Sequence, residues 1–357
     1  MATRAVAERW LEQLTSIPTA SGLEHGVIEW VEAWAARRTD LKLTRDSGGN
    51  VLIRQKGRAK HPPVLAVAHM DHPAFVVVGV DGKEAAFEFR GGVNPEYFDR
   101  AVVDFPSSGA SGRVASYEAK TQTGVISLTK GEPAPGEIGV WRLKKGRAKK
   151  DRLQAPACDD LAGCAAALAA LDKTRGEPSL RHFGVLLTRA EEVGLVGATH
   201  AAKNKTIPED SRILSIETSR ELPNARIGNG PIIRIGDAVT VFDQELSNRI
   251  SHGAARSGVR FQRKLMDGGG CEASSFGVFG YRATGLCLAL ANWHNRGNLD
   301  DFEAGTGDPV PMMEEISISD YHGLVDLLVV AARVVDEPTG LADRFGAAYE
   351  RTRQILD

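Results

Sequence analysis

The stretch that decides the fold is Pro62-Pro63-Val64-Leu65-Ala66-Val67-Ala68-His69-Met70-Asp71. After two prolines it runs through five consecutive apolar residues, which is typical of a strand buried on both faces of a parallel sheet. The strand ends on a histidine and an aspartate, and ligands of such sheets bind beyond the carboxyl ends of the strands. We therefore expect an α/β fold with a functional site where this strand ends.

The segments around this strand alternate between helical and extended patterns. Residues 5–38 carry apolar residues at helical spacing, and a break at 16–22 separates two predicted helices. Later in the chain come an Ala-rich helix over 160–171 and buried strands at 183–188 and 213–216. Strands that alternate with helices predict a three-layer α/β sandwich around a mostly parallel sheet.

The sequence pattern changes after this first buried strand, over about residues 76–155. Short β-like runs such as 101–105 and 124–128 are separated by Gly, Pro and charged residues, and no helical period persists there. Such a pattern is typical of a small β-barrel or sandwich. We predict a catalytic domain formed by residues 1–73 and 159–357, with an inserted β-barrel domain at 74–158.

Composition excludes several classes of protein. The chain of 357 residues has 44 Lys and Arg against 46 Asp and Glu, so no net field attracts nucleic acid or an anionic membrane. No apolar run approaches the ~20 residues that cross a bilayer. The four cysteines form no CxxC pair, which argues against a structural cysteine-zinc site or a disulfide framework. We expect a cytoplasmic protein with reduced thiols.

Potential metal ligands come at or after the predicted strands and at the start of the Ala-rich helix: His69 with Asp71, Asp159 with Asp160, Glu191 with Glu192, Glu217, and His294. If these strands are neighbours in one parallel sheet, the side chains converge on its carboxyl edge. Two imidazoles and several carboxylates in one pocket suit a pair of divalent ions, with zinc the first choice.

Two spacings have a physical reason. Residues two apart in an extended segment point the same way, so Asp71 can accept the ring N–H of His69 that does not bind metal and fix the tautomer. Adjacent glutamates can divide their roles, since one binds metal while the other moves a proton from water to a leaving amine. Glu191 and Glu192 are such a pair.

Each of these residues also has a simpler interpretation when taken alone. His69 could be a buried structural histidine, Asp160 a helix N-cap, and Glu217 an ordinary carboxylate at a strand end. A Glu-Glu pair is more often a solvated surface patch, and His294 could pack on Trp293. The run Gly268-Gly269-Gly270 lacks the Lys-Ser/Thr of a P-loop, so nucleotide binding is not indicated.

Taken in order, these motifs resemble a known family. The resemblance is carried by Leu14-Thr15-Ser16-Ile17-Pro18-Thr19-Ala20-Ser21-Gly22-Leu23-Glu24, Asp46-Ser47-Gly48-Gly49-Asn50-Val51, Ala68-His69-Met70-Asp71, Cys158-Asp159-Asp160-Leu161-Ala162-Gly163, Glu191-Glu192-Val193-Gly194-Leu195-Val196-Gly197-Ala198 and the late His294. Together they look like the di-zinc aminopeptidases of the M42 type, which include glutamyl and tetrahedral aminopeptidases. The M20 enzymes, which share these ligands, carry their extra domain between the acidic third ligand and the final histidine. Here the 90 positions from His69 to Asp159 leave room for an inserted domain between the first and second ligands, which points to the M42 type.

The resemblance implies a role for each motif residue. Asp159 would bridge two divalent ions, with His69 and Glu217 on one and Glu192 and His294 on the other. Glu191 would be the general base and acid for a two-metal-activated water, and Asp71 would orient His69. The implied activity is removal of N-terminal residues from short peptides by a homo-oligomer, dimeric or larger. Cobalt or manganese could replace zinc.

The chain departs from the family pattern at several positions. His72 stands where an acidic residue is usual, and Asp160-Leu161 stands where the family usually has Asn-Arg or Asp-Arg. The loop 268–273 reads Gly-Gly-Gly-Cys-Glu-Ala in place of the expected Gly-Gly-Gly-Thr-Asp-Ala, and we interpret Cys271 as a small apolar filler. The segment 295–315 is unusually long, acidic and Gly-rich. These departures leave two alternatives open: an M20-like N-acyl amidohydrolase or carboxypeptidase, and a non-catalytic metal-binding homologue.

Overall fold

A computed structural model describes residues 3–147, 149–266 and 268–356. Its helices are α1 (Arg4–Leu14), α2 (His25–Ala36), α3 (Leu161–Thr174), α4 (Val196–Lys203), α5 (Gln244–Arg256), α6 (Glu272–Val278), α7 (Leu299–Glu303), α8 (Ile318–Val334) and α9 (Leu341–Thr352). Its strands are β1 (Leu41–Arg45), β2 (Val51–Gln55), β3 (Val64–His69), β4 (Ala74–Asp81), β5 (Glu84–Arg90), β6 (Val102–Phe105), β7 (Ala110–Glu118), β8 (Thr123–Lys130), β9 (Ile138–Trp141), β10 (Arg152–Ala155), β11 (Phe183–Thr188), β12 (Arg212–Arg220), β13 (Ile232–Gly236), β14 (Gln262–Leu265), β15 (Arg282–Leu290), β16 (Arg296–Gly297), β17 (Val310–Pro311) and β18 (Glu314–Ser317).

The central sheet has the strand order β1-β2-β11-β3-β12-β15-β13-β14. Its middle strands β11, β3, β12 and β15 are mutually parallel, while β2 and β13 run antiparallel to their inner neighbours. All six residues of β3 are buried, as the apolar run predicts. The sheet is therefore mixed, with a parallel centre that contains the predicted site strands.

Helices cover both faces of this sheet. Along β3, Val64, Ala66 and Ala68 belong to a core that includes α3 and α8, whereas Leu65 and Val67 pack in a second core with α4 and α6. Side chains of a strand alternate between faces, so this division follows directly from its sequence. The predicted three-layer sandwich is confirmed.

A closed barrel lies between β3 and α3 in the chain, with the strand order β4-β5-β8-β7-β6-β9. Its core is aromatic: Phe75 packs edge to face on Phe87, Phe89, Phe98 and Trp141 at ring distances of 4.6 to 5.8 Å. The inserted β-barrel of the predicted fold is thus present. Its strands end at Trp141, and β10 pairs instead with β18 outside the barrel. The domain limits 74–158 stay a proposal.

The strand predicted at 213–216 is longer in the structure. β12 extends four residues beyond the predicted strand, because its pairing with β15 continues to Arg220 opposite Leu290. The long acidic segment 295–315 contains β16, α7 and β17. No helix in the described part of the chain is long and apolar enough to span a bilayer.

Candidate metal centre

The carboxyl edge of the parallel centre brings the predicted ligands together. His69 is the last residue of β3, Glu191 and Glu192 follow β11, and His294 follows β15. Glu217 lies within β12 rather than after it, paired with Cys287 of the neighbouring strand. The order β11-β3-β12-β15 makes these strands neighbours, so the side chains at their carboxyl ends converge on one edge of the sheet.

Asp159 lies between the two histidines. Its Oδ1 is 3.4 Å from His69 Nε2, and its Oδ2 is 3.5 Å from His294 Nε2. Glu217 Oε1 lies 3.5 Å from the same nitrogen of His69, and Glu192 Oε2 lies 3.2 Å from His294 Nε2. The two oxygens of one carboxylate thus face two separate pairs of nitrogen and oxygen donors.

These residues fit divalent cations. His69 Nε2, Asp159 Oδ1 and Glu192 Oε1 are buried and have no hydrogen-bond partner among the described residues. Buried polar atoms are nearly always paired, so three unpaired polar atoms in one cluster fit the ligands of a bound cation. His69, Asp159 and Glu192 form one group whose ligand atoms lie within 4.8 Å, and His69, Glu191 and Glu217 form a second. Nitrogen and carboxylate oxygen are ligands that zinc accepts.

The cluster shifts the pKa values of its own members. Burial by itself would lower the pKa of His69, but the nearby carboxylates of Glu191 and Asp159 outweigh it and the net pKa is raised. Burial raises the pKa of Glu191 well above its ordinary value, and Glu217 adds to this by charge repulsion. Burial by itself would raise the pKa of Asp159, but the neighbouring imidazoles of His294 and His69 outweigh it and the net pKa is lowered. The pKa values of these buried groups are therefore set by one another, as in a tightly packed cluster of metal-ligand side chains.

Asp71 ties the glutamate pair to the end of β3. Its carboxylate accepts hydrogen bonds from the backbone N–H groups of Glu191 and Glu192, both at 3.0 Å, and from the Ser21 hydroxyl at 2.6 Å. His69 Nδ1 donates to the backbone oxygen of Asp71 at 3.2 Å, with the carboxylate Oδ1 at 3.5 Å. That bond leaves Nε2 of His69 free to face the cluster.

Several supporting residues were not found from the sequence. The carboxylate of Glu314 is fully buried and accepts three backbone N–H bonds, from Cys158 at 2.6 Å, Asp159 at 3.0 Å and His294 at 2.8 Å. It therefore joins the segment that contains Asp159 to the segment that contains His294. The Trp293 indole donates to Asp159 Oδ2 at 2.8 Å. No local motif marks Glu314, because its partners are more than a hundred residues away or across a turn.

The residues at which the chain departs from the family pattern have structural partners. His72 Nδ1 donates to the backbone oxygen of Asp159 at 2.7 Å, and its Nε2 lies 3.1 Å from Asn295 Oδ1. Cys271 is fully buried, in agreement with its interpretation as a small apolar filler. Asp160 is the N-cap residue of α3, yet its carboxylate accepts from the Thr218 hydroxyl at 2.8 Å rather than from the helix.

Most of the candidate metal ligands line a cavity of 320 Å³. Its wall contains Asp159, Glu191, Glu192, Glu217 and His294, together with Trp293, Arg220, Arg234 and the backbone of Gly268–Gly270. Four carboxylates in one cavity attract a cationic group such as a free amine. The cavity can therefore admit a small ligand that carries positive charge beside the candidate metal centre.

Solved structures with the same fold include aminopeptidases of archaea. An aminopeptidase from Desulfurococcus kamchatkensis is 20% identical at a TM-score of 0.73, covering 94% of this chain and 96% of its own. A TET aminopeptidase from a marine sediment archaeon of the Thaumarchaeota is 18% identical at 0.73, covering 93% and 98%. The TET1 peptidase of Pyrococcus horikoshii is 19% identical at 0.72, covering 91% and 99%, and can assemble into a tetrahedron or a large octahedral shell. At these identities the likeness is one of fold.

A family model described as M42 glutamyl aminopeptidase matches residues 127–306. This match and the fold define a peptide-bond hydrolase, and within that class an aminopeptidase. The chain belongs to the M42 glutamyl aminopeptidase family, as the ordered motifs of its sequence indicate.

Proposed function

We propose that this protein is a two-metal aminopeptidase that removes N-terminal residues from short peptides. The observation that carries the proposal is the position of Asp159, whose two oxygens lie 3.4 and 3.5 Å from the Nε2 atoms of two different histidines. A carboxylate in that position suits the bridge between two cations. We assign His69 and Glu217 to one ion and Glu192 and His294 to the other, with zinc as the metal.

When bound, the two ions would supply a water of lowered pKa and polarise the substrate carbonyl. The protein residues would do the rest. Glu191, whose side chain is 11% exposed and whose pKa is raised by burial, would accept a proton at its carboxylate and pass it to the leaving amine. The acidic wall of the cavity would hold the free α-amine of the substrate by charge.

The support around these residues suits a preorganised site. The hydrogen bonds of Asp71 fix the backbone of the Glu191–Glu192 turn, and the Arg189 guanidinium binds Glu24 at 2.7 Å just before this turn. His294 Nδ1 donates to the backbone oxygen of Gly92 at 2.7 Å, which leaves its Nε2 directed at the cluster. A turn and two rings held in this way lose little freedom when metal and substrate bind.

The experiment is hydrolysis of aminoacyl p-nitroanilides and their N-blocked counterparts by chelated protein refilled with zinc, cobalt or manganese. We expect cleavage of unblocked substrates alone, and loss of it after chelation. Glu191→Gln should reduce kcat by about 10²- to 10⁴-fold while the protein still binds metal. Cleavage of the blocked substrates would indicate an amidohydrolase instead, and equal activity of Glu191→Gln would remove that residue from the mechanism.

We also propose that the protein is a homo-oligomer. The support is the fold shared with the Pyrococcus horikoshii peptidases, which are described as a dodecamer and as tetrahedral or octahedral shells. The β-barrel is the part that we assign to subunit pairing. Light scattering coupled to size exclusion tests this directly: a multiple of the 38.3 kDa chain mass supports it, and a monomer at micromolar concentration contradicts it.

A further inference from the structure

A surface groove lies at the opposite end of α3 from the candidate metal centre. α3 begins after Asp160 and ends before Arg175, and its 14 residues span about 21 Å. Arg175 lines the groove, whose volume is 420 Å³, together with residues of α1 and α2 and the two arginines that follow α2. Among the described residues, none of the candidate metal ligands lines it, so the groove is separate from the proposed active site.

Tryptophan rings form much of the groove wall. Trp30, Ala33 and Trp34 recur at helical spacing along one stripe of α2, and Trp10 comes from α1. Trp34 is 4% exposed, and the half-buried Trp10 packs on it edge to face with the ring centroids 5.5 Å apart. Trp30 is also half-buried, and its indole donates to Gln13 Oε1 at 3.2 Å. Two half-buried rings beside a buried ring, with a small alanine on the same stripe, suit a flat aromatic ligand.

The charged residues of the wall are all arginines, and two of them are already paired. The Arg38 guanidinium stacks on Trp34 with its Cζ 3.7 Å from the ring centroid, and its Nε donates to Asp172 Oδ1 at 2.7 Å. Arg175 donates to the same oxygen at 3.0 Å and to Asp40 Oδ1 at 2.8 Å. Two carboxylates therefore hold and neutralise these two guanidiniums.

Arg37 is the third arginine of the wall, and its charge is not neutralised. Its side chain is exposed, and in the part of the chain that the structure describes it forms neither an ion pair nor a hydrogen bond. It follows Ala33 by four positions and Trp30 by seven, so it continues the stripe that carries the rings. Three guanidiniums against the carboxylates of Asp172 and Asp40 leave one positive charge, which attracts an anion.

We propose that this groove binds a small aromatic anion, a flat ring that carries one carboxylate or phosphate. The ring lies against the tryptophans, and the anion pairs with Arg37. Carboxylate and phosphate share the ability to accept two parallel hydrogen bonds from one guanidinium. The carboxylate can come from an aromatic amino acid or its derivatives, and the phosphate from a nucleotide. This binding site is additional to the proposed aminopeptidase function.

Calorimetric titration with three probes separates the contribution of the ring from that of the charge. Indole-3-acetate carries both features, indole-3-acetamide lacks the charge, and cyclohexylacetate lacks the flat ring. For the roughly 13 non-hydrogen atoms of indole-3-acetate we expect a Kd of about 1 mM. The acetamide should bind about 5-fold more weakly, because the pair with Arg37 is exposed. Cyclohexylacetate should bind about 3- to 10-fold more weakly, because it makes no aromatic contact.

A comparison of adenosine monophosphate with adenosine tests the second source of the anion. If the monophosphate binds more tightly than both adenosine and indole-3-acetate, the preferred anion is a phosphate. If indole-3-acetate binds more tightly, the preferred anion is a carboxylate. Either order supports a groove for aromatic anions.

Two variants locate the binding in the groove. Arg37→Gln should abolish the preference for the acetate over the acetamide, and Trp30→Leu should abolish the preference for the indole over the cyclohexyl ring. Urea unfolding of both variants shows that they are folded. Arg9→Gln is the matched control, because Arg9 is an exposed arginine of α1 that does not line the groove, and it should keep both preferences.

Three results would overturn the proposal. The wild type may not distinguish the acetate from the acetamide; the acetate may bind Arg37→Gln as tightly as the wild type, which places it elsewhere; or a second copy of the chain covers the groove. In the last case the wild type binds none of the probes, and Trp30→Leu lowers the mass of the assembly in light scattering.

Discussion

Glu314 offers the sharpest test of how the candidate metal centre is held. Its Oε2 accepts the N–H groups of Cys158 and Asp159, and its Oε1 accepts that of His294. In Glu314→Gln the amide oxygen can keep one side of this arrangement, while the new NH₂ group faces a backbone N–H and cannot accept it. At least one buried donor is then unsatisfied, which costs about 1 to 3 kcal/mol of unfolding free energy.

The effect on metal should exceed the effect on folding. Two of the three bonded N–H groups belong to the candidate ligands Asp159 and His294, and loss of such outer contacts weakens metal binding by about 10- to 100-fold. The assay is zinc titration against a chelator of known affinity, with urea unfolding of the metal-free protein beside it.

Glu315→Gln is the matched control for this prediction. Glu315 is the next residue, and its carboxylate contacts Lys149 and Gln154 rather than a ligand segment. We expect its zinc affinity to stay at the wild-type value. If Glu314→Gln binds zinc as tightly as Glu315→Gln, the carboxylate does not hold the ligands and the reasoning is wrong.

Three further predictions concern other parts of the molecule. Burial raises the pKa of Glu272 from 4.5 to about 7. The folded state is therefore more stable while this carboxyl is protonated, and it loses that stability as pH rises through about 7. Between pH values below 4.5 and above 7, the unfolding free energy of the chelated wild type should fall by about 3 kcal/mol more than that of Glu272→Gln, measured by urea unfolding across pH. Asp71→Asn should loosen the Glu191–Glu192 turn and lower kcat and zinc affinity by at least 10-fold. Ser21→Ala removes only one of the three hydrogen bonds of Asp71, so it should have a smaller effect in the same assays. Equal effects of the two variants would contradict this. Phe75→Ala in the barrel core should cost about 3 to 5 kcal/mol in urea unfolding, and Val78→Ala, where the side chain is 57% exposed, under about 1 kcal/mol; similar losses for both would show that the barrel core does not pack as described.

The sequence was informative where the signal was local. The apolar run of β3 is buried along its whole length, and it ends at His69 as predicted. The change to short β-runs after this strand predicted the barrel, because strand alternation and turn residues are properties of neighbouring positions. The order of the ligand motifs predicted the family, which the family match confirms.

The rest depended on contacts between distant segments. Glu314 reaches Cys158 only because β18 pairs with β10, and Arg234 enters the cavity only because β13 lies beside Gly285. Neither residue sits in a recognisable motif. Glu217 was expected after its strand, but ladder pairing with β15 extends that strand past it. The ligand roles, the zinc ions, the domain limits and the cytoplasmic location stay predictions.

The central claim is a pair of metal ions bridged by Asp159. Anomalous diffraction from zinc-loaded crystals, recorded on either side of the zinc absorption edge, tests it most directly. The account predicts two zinc peaks on opposite sides of the Asp159 carboxylate, one beside His69 and Glu217 and the other beside Glu192 and His294. A single peak, or zinc bound away from Asp159, would contradict it.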